Sequence, residues 1–483
     1  MREVAGYLPG LDPDSVAWRT LAFGRGGTDL EVAVPELTPA QVAALAERVR
    51  AHARSVLKTM PVAEVVTAVD AAVARLLDRD DPWRRRAERL LPLVTGYDAE
   101  MVRHGLTSYL KTFRKPELLR FLAEDFANPG VLDDFQPVPK GGFARAFGPD
   151  LLLHVWAGNV PGLPLWSLVC GLLVKAGGVG KVPSAEPLFA GWFARLLAEV
   201  EPRLAGCLAV VWWKGGDAER EAEWLRRADT VLAYGSTASL EALRARVPVT
   251  TRFLPYGHKI SFALVSHAAL DPHTVRATAR GVAHDVARWD QQGCYSPHVV
   301  YVERGGGVDP RGFARHLAHE LACQAIRFPR RALDPGDAGG VAAWRHAEEM
   351  QGVADPAREL LADPAGAWAV AYADRPQPLA PCGLNRTVTV VAVDRLDDAL
   401  PCVAPFRPLL QTAAVAAPPR ELFRIAGLLG AAGVTRVCAP GAMAAPEAGW
   451  HHDGRFNLSD LVAMAEIDRG AELAADALAP YRD

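Results

Sequence analysis

The sequence of 483 residues lacks a large excess of charge of either sign. Its 53 Lys and Arg against 56 Asp and Glu leave a formal net charge of -3. Domains that bind nucleic acid or an anionic membrane surface carry a clear positive excess. We therefore expect neither nucleic acid nor a membrane surface among the partners of this protein.

The sequence also lacks an uninterrupted apolar run long enough to cross a membrane. The longest stretch without Asp, Glu, Lys or Arg covers 151–174, and it contains His154, Asn159, Pro161 and Pro164. A spanning helix with these residues would leave polar groups unpaired in lipid. The first residues, MREVAGYLPGLDPD, show no cationic start followed by an apolar run. We therefore expect no secretory signal.

Cysteine shows no pairing pattern, and lysine is scarce. The seven cysteines are odd in number, and none lies in a C-x-x-C motif (positions 170, 207, 294, 323, 382, 402 and 438). This usage is typical of a reduced, cytoplasmic protein. Only eight of the 53 basic residues are Lys. A lysine placed in a loop at the end of a strand therefore favours a specific role over general solvation.

The residues that are present predict a protein of the α/β class. Residues 36–125 show helical spacing of apolar residues, and from residue 151 four strand–helix pairs follow one another. A second series begins near residue 271, while 334–383 is rich in Gly, Pro and Asp and is expected to be loops with one helix. The pattern indicates two doubly wound parallel-sheet domains with a helical N-terminal region.

We place three units on this pattern. Residues 1–265 are expected to hold the helical region and a dinucleotide-binding domain. Residues 266–445 are expected to form a second domain, and 446–483 a returning C-terminal segment that serves oligomerisation. Parallel sheets bind ligands beyond the carboxyl ends of their strands, where the loops GNVPG, PSAEP and YGST fall.

The segment QQGCYSP (291–297) is the most informative for chemistry. A helix ends, Gly293 permits close backbone approach, and Cys294 precedes a Ser-Pro turn. A thiol at an exposed turn near a helix end is expected to be favoured as the thiolate, the nucleophilic form. Asn159, in a loop after a buried strand, can donate to an oxyanion. Taken alone, the first has an ordinary explanation as a packing cysteine and the second as a turn residue.

Two loops carry candidate dinucleotide contacts. Lys181, Ser184 and Glu186 follow the second strand of the predicted sheet and could hold a ribose or phosphate. Gly235 and Ser236 open a helix after the strand TVLAY, and a helix start is a natural pyrophosphate site. A solvated lysine and a simple helix N-cap are the ordinary alternatives. No G-x-G-x-x-G motif is present.

One helix carries a weak metal-like pattern, and two histidines are candidates for proton relay. His316, His319, Glu320 and Cys323 could share a helix face, but their spacing is not that of a zinc-enzyme motif, so we expect no metal. Near the motif segments, His258 and His298 could relay protons or serve structural roles.

In combination, six motifs resemble the aldehyde dehydrogenase superfamily, and in particular its acyl-CoA reductase branch, the LuxC-type fatty acid reductases. The likeness covers roughly residues 100–465 and is carried by AGNVP, KVPSAEP, YGST, GHKISF, QQGCYSP and HDGRFNLSDLV. It implies an aldehyde-dehydrogenase-like fold.

The resemblance also implies residue roles. Cys294 would be the nucleophile, and Asn159 together with the Cys294 backbone N–H would form the oxyanion hole. Lys181, Ser184 and Glu186 would hold the adenosine ribose or its 2′-phosphate. Gly235 and Ser236 would lie at the pyrophosphate of NADPH, with NADH as the alternative.

The sequence departs from the hydrolytic members of that superfamily. Their general-base Glu lies about 35 residues before the Cys, where this chain has Lys259 in PYGHK. We therefore expect no carboxylate there to activate water, so that a thioester would resist hydrolysis. The nicotinamide-ribose Glu is also missing, because the chain reads Ala404-Pro405-Phe406-Arg407-Pro408.

The resemblance therefore predicts an NADPH-dependent reductase of acyl-CoA or acyl-carrier thioesters. It implies a homo-oligomer that works with an acyl-activating partner subunit. Two other readings stay open: a non-hydrolytic aldehyde dehydrogenase or acyl-phosphate reductase, and a catalytically silent scaffold subunit of an acyl-reductase complex.

Overall fold

The chain begins with a small sheet followed by five helices, in a computed structural model that describes residues 1–25 and 27–480. Thr38 starts the first helix through a capping box with Gln41. The elements are β1 (Arg2–Val4), β2 (Ala17–Arg25), β3 (Thr28–Glu36), α1 (Pro39–His52), α2 (Val62–Leu77), α3 (Pro82–Thr95), α4 (Ala99–Lys111) and α5 (Lys115–Asp125). The helical N-terminal region is confirmed, and an unpredicted sheet precedes it.

A five-stranded sheet follows two short strands. Its neighbouring strands are all parallel, in the order β10-β9-β6-β7-β8. The elements are β4 (Gln136–Pro137), β5 (Phe143–Phe147), β6 (Leu151–Val155), α6 (Leu163–Leu173), β7 (Gly177–Lys181), α7 (Phe189–Val200), β8 (Leu208–Val211), α8 (Ala218–Leu225), β9 (Thr230–Tyr234), α9 (Thr237–Arg244) and β10 (Arg252–Tyr256). The loops after β6, β7 and β9 therefore meet at one edge.

The second large sheet has seven strands, in the order β13-β14-β15-β12-β11-β16-β17. Only its edge pair β13–β14 is antiparallel. The elements are β11 (Ile260–Val265), α10 (Val275–Ala287), β12 (Pro297–Glu303), α11 (Pro310–Arg327), α12 (Pro335–Ala354), β13 (Arg358–Ala362), β14 (Ala369–Ala373), β15 (Thr387–Val393), α13 (Ala399–Val403), β16 (Leu410–Ala416), α14 (Pro419–Ala432) and β17 (Arg436–Cys438).

Two sequence expectations need correction here. The boundary at residue 265 assigned β11 to the first domain, but β11 pairs with β12 and β16 and so belongs to the seven-stranded sheet. The region 334–383 holds the predicted helix, yet it also holds β13 and β14. The sequence did not predict these two strands because the region is rich in turn-forming residues. Each strand is short, and its pairing depends on tertiary contacts.

The C-terminal segment packs back against β5, the strand that precedes the five-stranded sheet in the chain. Strand β18 (Ala463–Ile467) pairs antiparallel with β5, giving a three-stranded sheet in the order β18-β5-β4, and helix α15 (Arg469–Leu478) follows. Within the described residues, no helix combines the length and the apolar character that a membrane crossing requires.

Candidate active site

Three neighbouring strands of the seven-stranded sheet fix the position of Cys294. The residue lies just before β12, and its carbonyl oxygen accepts a hydrogen bond of 2.9 Å from the Ser261 hydroxyl on β11. The same hydroxyl accepts from the backbone N–H of Thr412 on β16, at 3.2 Å. Because Ser261 is fully buried, this bridge ties the backbone of Cys294 to the sheet.

The surroundings of the thiol hold it in its protonated form. Burial, followed by the charge of Asp453, raises the pKa of Cys294 to a net value of about 11. A hydrogen bond from Gln411 and the charge of Lys259 act in the opposite direction and lower this pKa. The expectation of a favoured thiolate is therefore wrong for the resting enzyme, because burial outweighs the position of the turn. At neutral pH the side chain is a thiol, and its proton must leave as the sulfur attacks.

A carboxylate from a distant segment, Asp453, acts on the thiol, although Lys259 stands at the position of the missing general-base Glu. The Gln411 amide donates to Asp453 Oδ1 at 2.6 Å, and the Lys259 ammonium is 3.9 Å from Oδ2. Lys259 also donates to the carbonyl of Pro408 at 3.3 Å. The sequence placed Asp453 inside the motif HDGRFNLSDLV, but nothing in the spacing indicated that this segment folds back against Cys294.

Opposite shifts should follow from replacing the two charges. Lys259→Met should raise the pKa of Cys294, whereas Asp453→Asn should lower it, because the two charges act in opposite senses on the thiolate. A shift of one unit changes the thiolate fraction at neutral pH about tenfold. The pH dependence of iodoacetamide alkylation at Cys294, followed by peptide mass spectrometry, measures this.

Lys140→Met provides the matched control, because that lysine pairs with Glu466 on the surface and is not among the groups that shift the thiol. If the Lys259 and Asp453 variants move the alkylation profile in the same direction, or not at all, the assigned charges do not control Cys294.

Asn159 lies on the loop that faces Cys294. Its Nδ2 donates to the carbonyl of Gln292 at 2.8 Å, two residues before the thiol. Tyr97 in turn donates to the carbonyl of Asn159 at 2.6 Å and holds the loop. Because a carboxamide carries two N–H donors, one can hold the Gln292 carbonyl while the second serves an oxyanion. The oxyanion role stays a prediction.

The backbone that leads into Cys294 is held by a buried polar cluster. Trp289, Asp290 and Gln291 all have left-handed backbone angles, with φ between 47° and 66°. Such angles cost about 1–2 kcal/mol for each non-glycine residue, so the surroundings must enforce them. Asp290 is 2.7 Å from the guanidinium of Arg386, and both side chains are fully buried. The cluster therefore presents the thiol on a rigid turn.

The loop after β7 brings two of the predicted dinucleotide residues together. The hydroxyl of Ser184 accepts a hydrogen bond from Trp212 at 3.1 Å. Lys181 lies over the ring of Trp213 at 5.9 Å, and burial lowers its pKa. Among residues 1–25 and 27–480, no hydrogen bond or salt bridge reaches its ammonium group. The charge of Glu221 raises this pKa from a distance, and no carboxylate of the described residues lies within salt-bridge range, so the half-buried ammonium can still bind a phosphate or the hydroxyls of a ribose.

The remaining dinucleotide candidates act as helix caps in this structure. Glu186 is buried, and its Oε1 accepts from the backbone N–H groups of Leu188 and Phe189 at 2.8 and 2.9 Å. Ser236 caps α9 by accepting from Ser239 at 3.2 Å, directly after Gly235. Ser236 therefore acts as the helix N-cap that the sequence offered as the ordinary alternative to a pyrophosphate contact. Contacts of these residues with a dinucleotide stay predictions.

Of the two histidines considered for proton relay, neither is seen at the thiol. His258 is exposed, and His298 contacts Cys382 instead of Cys294. In the helix with the metal-like spacing, Glu320 pairs with Arg276 and Arg280 at 3.0 and 3.3 Å.

The comparison with protein families decides the assignment. The family model described as Acyl-CoA reductase (LuxC) matches residues 57–464, which is most of the chain. The chain belongs to the LuxC family of acyl-CoA reductases.

Similar proteins agree with this LuxC membership. The chain is 25% identical over 402 residues to the long-chain acyl-protein thioester reductase of Photorhabdus luminescens, covering 81% of this chain and 79% of that protein. It is 23% identical over 400 residues to the reductase of the same description from Vibrio harveyi, covering 81% and 80%.

Solved structures confirm the aldehyde dehydrogenase fold of this LuxC-family chain. The aldehyde dehydrogenase KauB from Pseudomonas aeruginosa superimposes with a TM-score of 0.74 at 15% identity, covering 96% of both chains. The NADP-dependent glyceraldehyde-3-phosphate dehydrogenase from Bacillus halodurans, solved with NADP, gives a TM-score of 0.72 at 12% identity, covering 96% of this chain and 99% of that one.

Proposed function

We propose that this protein reduces acyl thioesters, carried on CoA or on an acyl-carrier protein, to aldehydes through a covalent acyl group on Cys294. The observation that carries the proposal is the contact of Asn159 Nδ2 with the carbonyl of Gln292. It sets an amide donor and a half-buried thiol on adjoining loops. Thioester chemistry needs this pair, because attack by sulfur converts the carbonyl oxygen into an oxyanion.

The first half-reaction is acyl transfer. As Cys294 attacks the acyl carbon, its sulfur forms the new C–S bond and the thiol proton leaves. The oxyanion receives hydrogen bonds from the second N–H of Asn159 and from the Cys294 backbone. Collapse expels the carrier thiolate, which takes up a proton. Asp453 raises the pKa of Cys294 and Lys259 lowers it, so these two charges together set how readily the thiol loses its proton.

The second half-reaction is reduction of the acyl group on Cys294. A reduced nicotinamide supplies the hydride when bound at the loops after β7 and β9. The same two donors hold the oxyanion of the resulting thiohemiacetal on the sulfur. Its collapse breaks the C–S bond, releases the aldehyde and returns Cys294 as a thiol after protonation.

NADPH is the proposed form of the cofactor, with NADH as the alternative. Lys181 supports the phosphorylated form, because no carboxylate of the described residues lies within salt-bridge range of its ammonium, Glu221 acts on it only from farther away, and a 2′-phosphate could pair with it directly. A free 2′-hydroxyl would instead need a carboxylate acceptor. Glu186, the candidate acceptor, already caps α7.

The chemistry of similar proteins suggests the partners. The relatives described as long-chain acyl-protein thioester reductases support a long acyl chain delivered on protein, and hence an acyl-activating partner subunit. The segment 446–483 is proposed to serve a homo-oligomer, because β18 and α15 leave apolar side chains exposed (Met464, Ile467, Leu473 and Leu478).

The function is tested by separating the two half-reactions. Incubation with myristoyl-CoA without nicotinamide should add one myristoyl mass to the Cys294 peptide, and subsequent NADPH should remove it with one equivalent of tetradecanal. Incubation with NADPH but no thioester is the control. An adduct that never forms, or that NADPH releases only as free acid, would contradict the proposal and favour a silent scaffold or a hydrolase.

One observation favours a second function, oxidation of a free aldehyde with water. Asp453 supplies the carboxylate near Cys294 that the hydrolytic reaction needs as a base. Asp453 is already engaged, because its Oδ1 accepts the hydrogen bond from Gln411 and its Oδ2 lies 3.9 Å from the Lys259 ammonium. Production of NAD(P)H from tetradecanal without CoA would establish this second function.

A further inference from the structure

A second thiol–imidazole contact lies outside the site around Cys294. Cys382 precedes β15, and His298 is on the neighbouring strand β12. The Cys382 sulfur is 3.2 Å from Nδ1 of His298, and the Cys382 backbone N–H donates to the same nitrogen at 3.2 Å. The thiol proton therefore has an acceptor nitrogen within transfer distance.

The electrostatics of this pair are opposite to those at Cys294. Burial by itself raises the pKa of Cys382, but the charge and hydrogen bond of His298 lower it more, so that it falls below its ordinary value. Burial lowers the pKa of His298, and Cys382 raises it to a net increase. Asp290, the residue before Gln291, is paired with Arg386 and does not contribute to either shift.

The environment of the Cys382 sulfur also stabilises negative charge. The amide of Gln291 donates to this sulfur at 3.3 Å. Cys382 is partly exposed and follows the exposed Pro381, so a small molecule can reach it. A partly exposed thiol with an adjacent base and an amide donor has the features of a reactive cysteine.

Gln291 connects this pair to the active site. Its Nε2 also donates to the carbonyls of Pro297 and Thr387, at 2.7 and 2.8 Å. Its Oε1 accepts from the backbone N–H groups of Arg386 and Thr387. A group added to the Cys382 sulfur would press on this fully buried amide, three residues before Cys294.

We propose that Cys382 and His298 form a modification site for α,β-unsaturated carbonyl compounds, and that its occupation inhibits the enzyme through Gln291. The sulfur forms a bond to the β-carbon while the π electrons of the C=C bond move toward the carbonyl oxygen as an enolate. The proton that His298 accepted from the thiol then goes to the α-carbon. Atoms and electrons balance without any oxidant or cofactor.

Labelling with N-ethylmaleimide tests the site without any acyl substrate or nicotinamide, so its outcome is independent of the proposed reductase activity. At pH 6.5 and less than one equivalent of reagent, peptide mass spectrometry should find the adduct chiefly on Cys382. The exposed Cys323 serves as a reference thiol within the same molecule. Labelling of Cys382 that is no faster than that of Cys323 would overturn the proposal.

Dependence on His298 is the second arm. His298→Gln keeps a polar side chain but removes the base, and it should slow labelling of Cys382 about tenfold or more while leaving Cys323 unchanged. If this variant does not fold, the pH profile of the native protein decides. Half-maximal labelling of Cys382 should then lie below the value of about 8.5 for a free cysteine. A midpoint at or above that value would refute the pair.

Inhibition is the third arm. Protein labelled at Cys382, with Cys294 shown to be unmodified, should lose most of its rate of acylation by myristoyl-CoA. The Cys382→Ser protein, treated identically, should keep the rate that it has before treatment. Full activity of the labelled native protein would overturn the coupling through Gln291.

Discussion

Cys294→Ser should form no acyl adduct and should lower aldehyde release by about a thousandfold or more, the scale on which loss of a catalytic nucleophile acts. The site already holds the native thiol protonated, with a pKa of about 11. A serine hydroxyl ionises far less readily than a thiol and is a weak nucleophile without a strong adjacent base. Intact-protein mass after myristoyl-CoA and the rate of tetradecanal formation are the two measurements.

The matched control is the same substitution at an exposed thiol. Cys323→Ser should leave both the adduct and the rate unchanged, because Cys323 lies on the exposed face of α11. A Cys294→Ser protein that keeps releasing aldehyde at the native rate would show that no covalent intermediate forms on this residue.

Asn159→Ala should lower turnover about a hundredfold or more, because an oxyanion-hole donor contributes roughly 3–4 kcal/mol to the barrier. The contribution arises only when the carbonyl oxygen becomes charged. We therefore expect kcat to fall with little change in KM. Single-turnover acylation of Cys294 should slow by the same factor, because its transition state carries the same oxyanion.

Gln292→Ala is the control for a merely structural effect. The backbone carbonyl that receives the Asn159 amide remains in this variant, while the side chain that reaches Asn385 is removed. Turnover within a few-fold of native is expected. If Asn159→Ala also stays within a few-fold of native, Asn159 is not a donor to the oxyanion.

The parts of the fold that local pattern determines were predictable from the sequence. The strand TVLAY has its predicted bounds at 230–234, because a continuous β-branched and apolar run is typical of a buried parallel strand. Helix α12 contains several glycines, which weaken helical propensity, yet Asp334 caps its start and Pro335 occupies the first turn. Strands β13 and β14, which follow α12, were not predicted because the segment is rich in turn-forming residues.

The parts of the site that depend on distant segments were not predictable. The motifs indicated Asn159 and Lys181 because they lie at the carboxyl ends of β6 and β7, and they indicated Cys294 because it lies in the turn between a helix and β12. Asp453 and the contact between His298 and Cys382 depend on which loops meet after folding, and a single sequence carries no such distances. The sequence also could not show that Glu186 accepts hydrogen bonds from backbone N–H groups at the start of α7. A carboxylate in this position can bind either the helix or a ligand.

The return of the C-terminal segment has a consequence for biosynthesis. Cys294 leaves the ribosome well before Asp453, and β5 leaves long before its partner β18. The nascent chain therefore carries Cys294 and Lys259 without the opposing charge of Asp453, and β5 without its partner strand, until translation has passed residue 467. Activity should appear abruptly at the end of synthesis, and a newly made chain is most exposed to aggregation just before that moment.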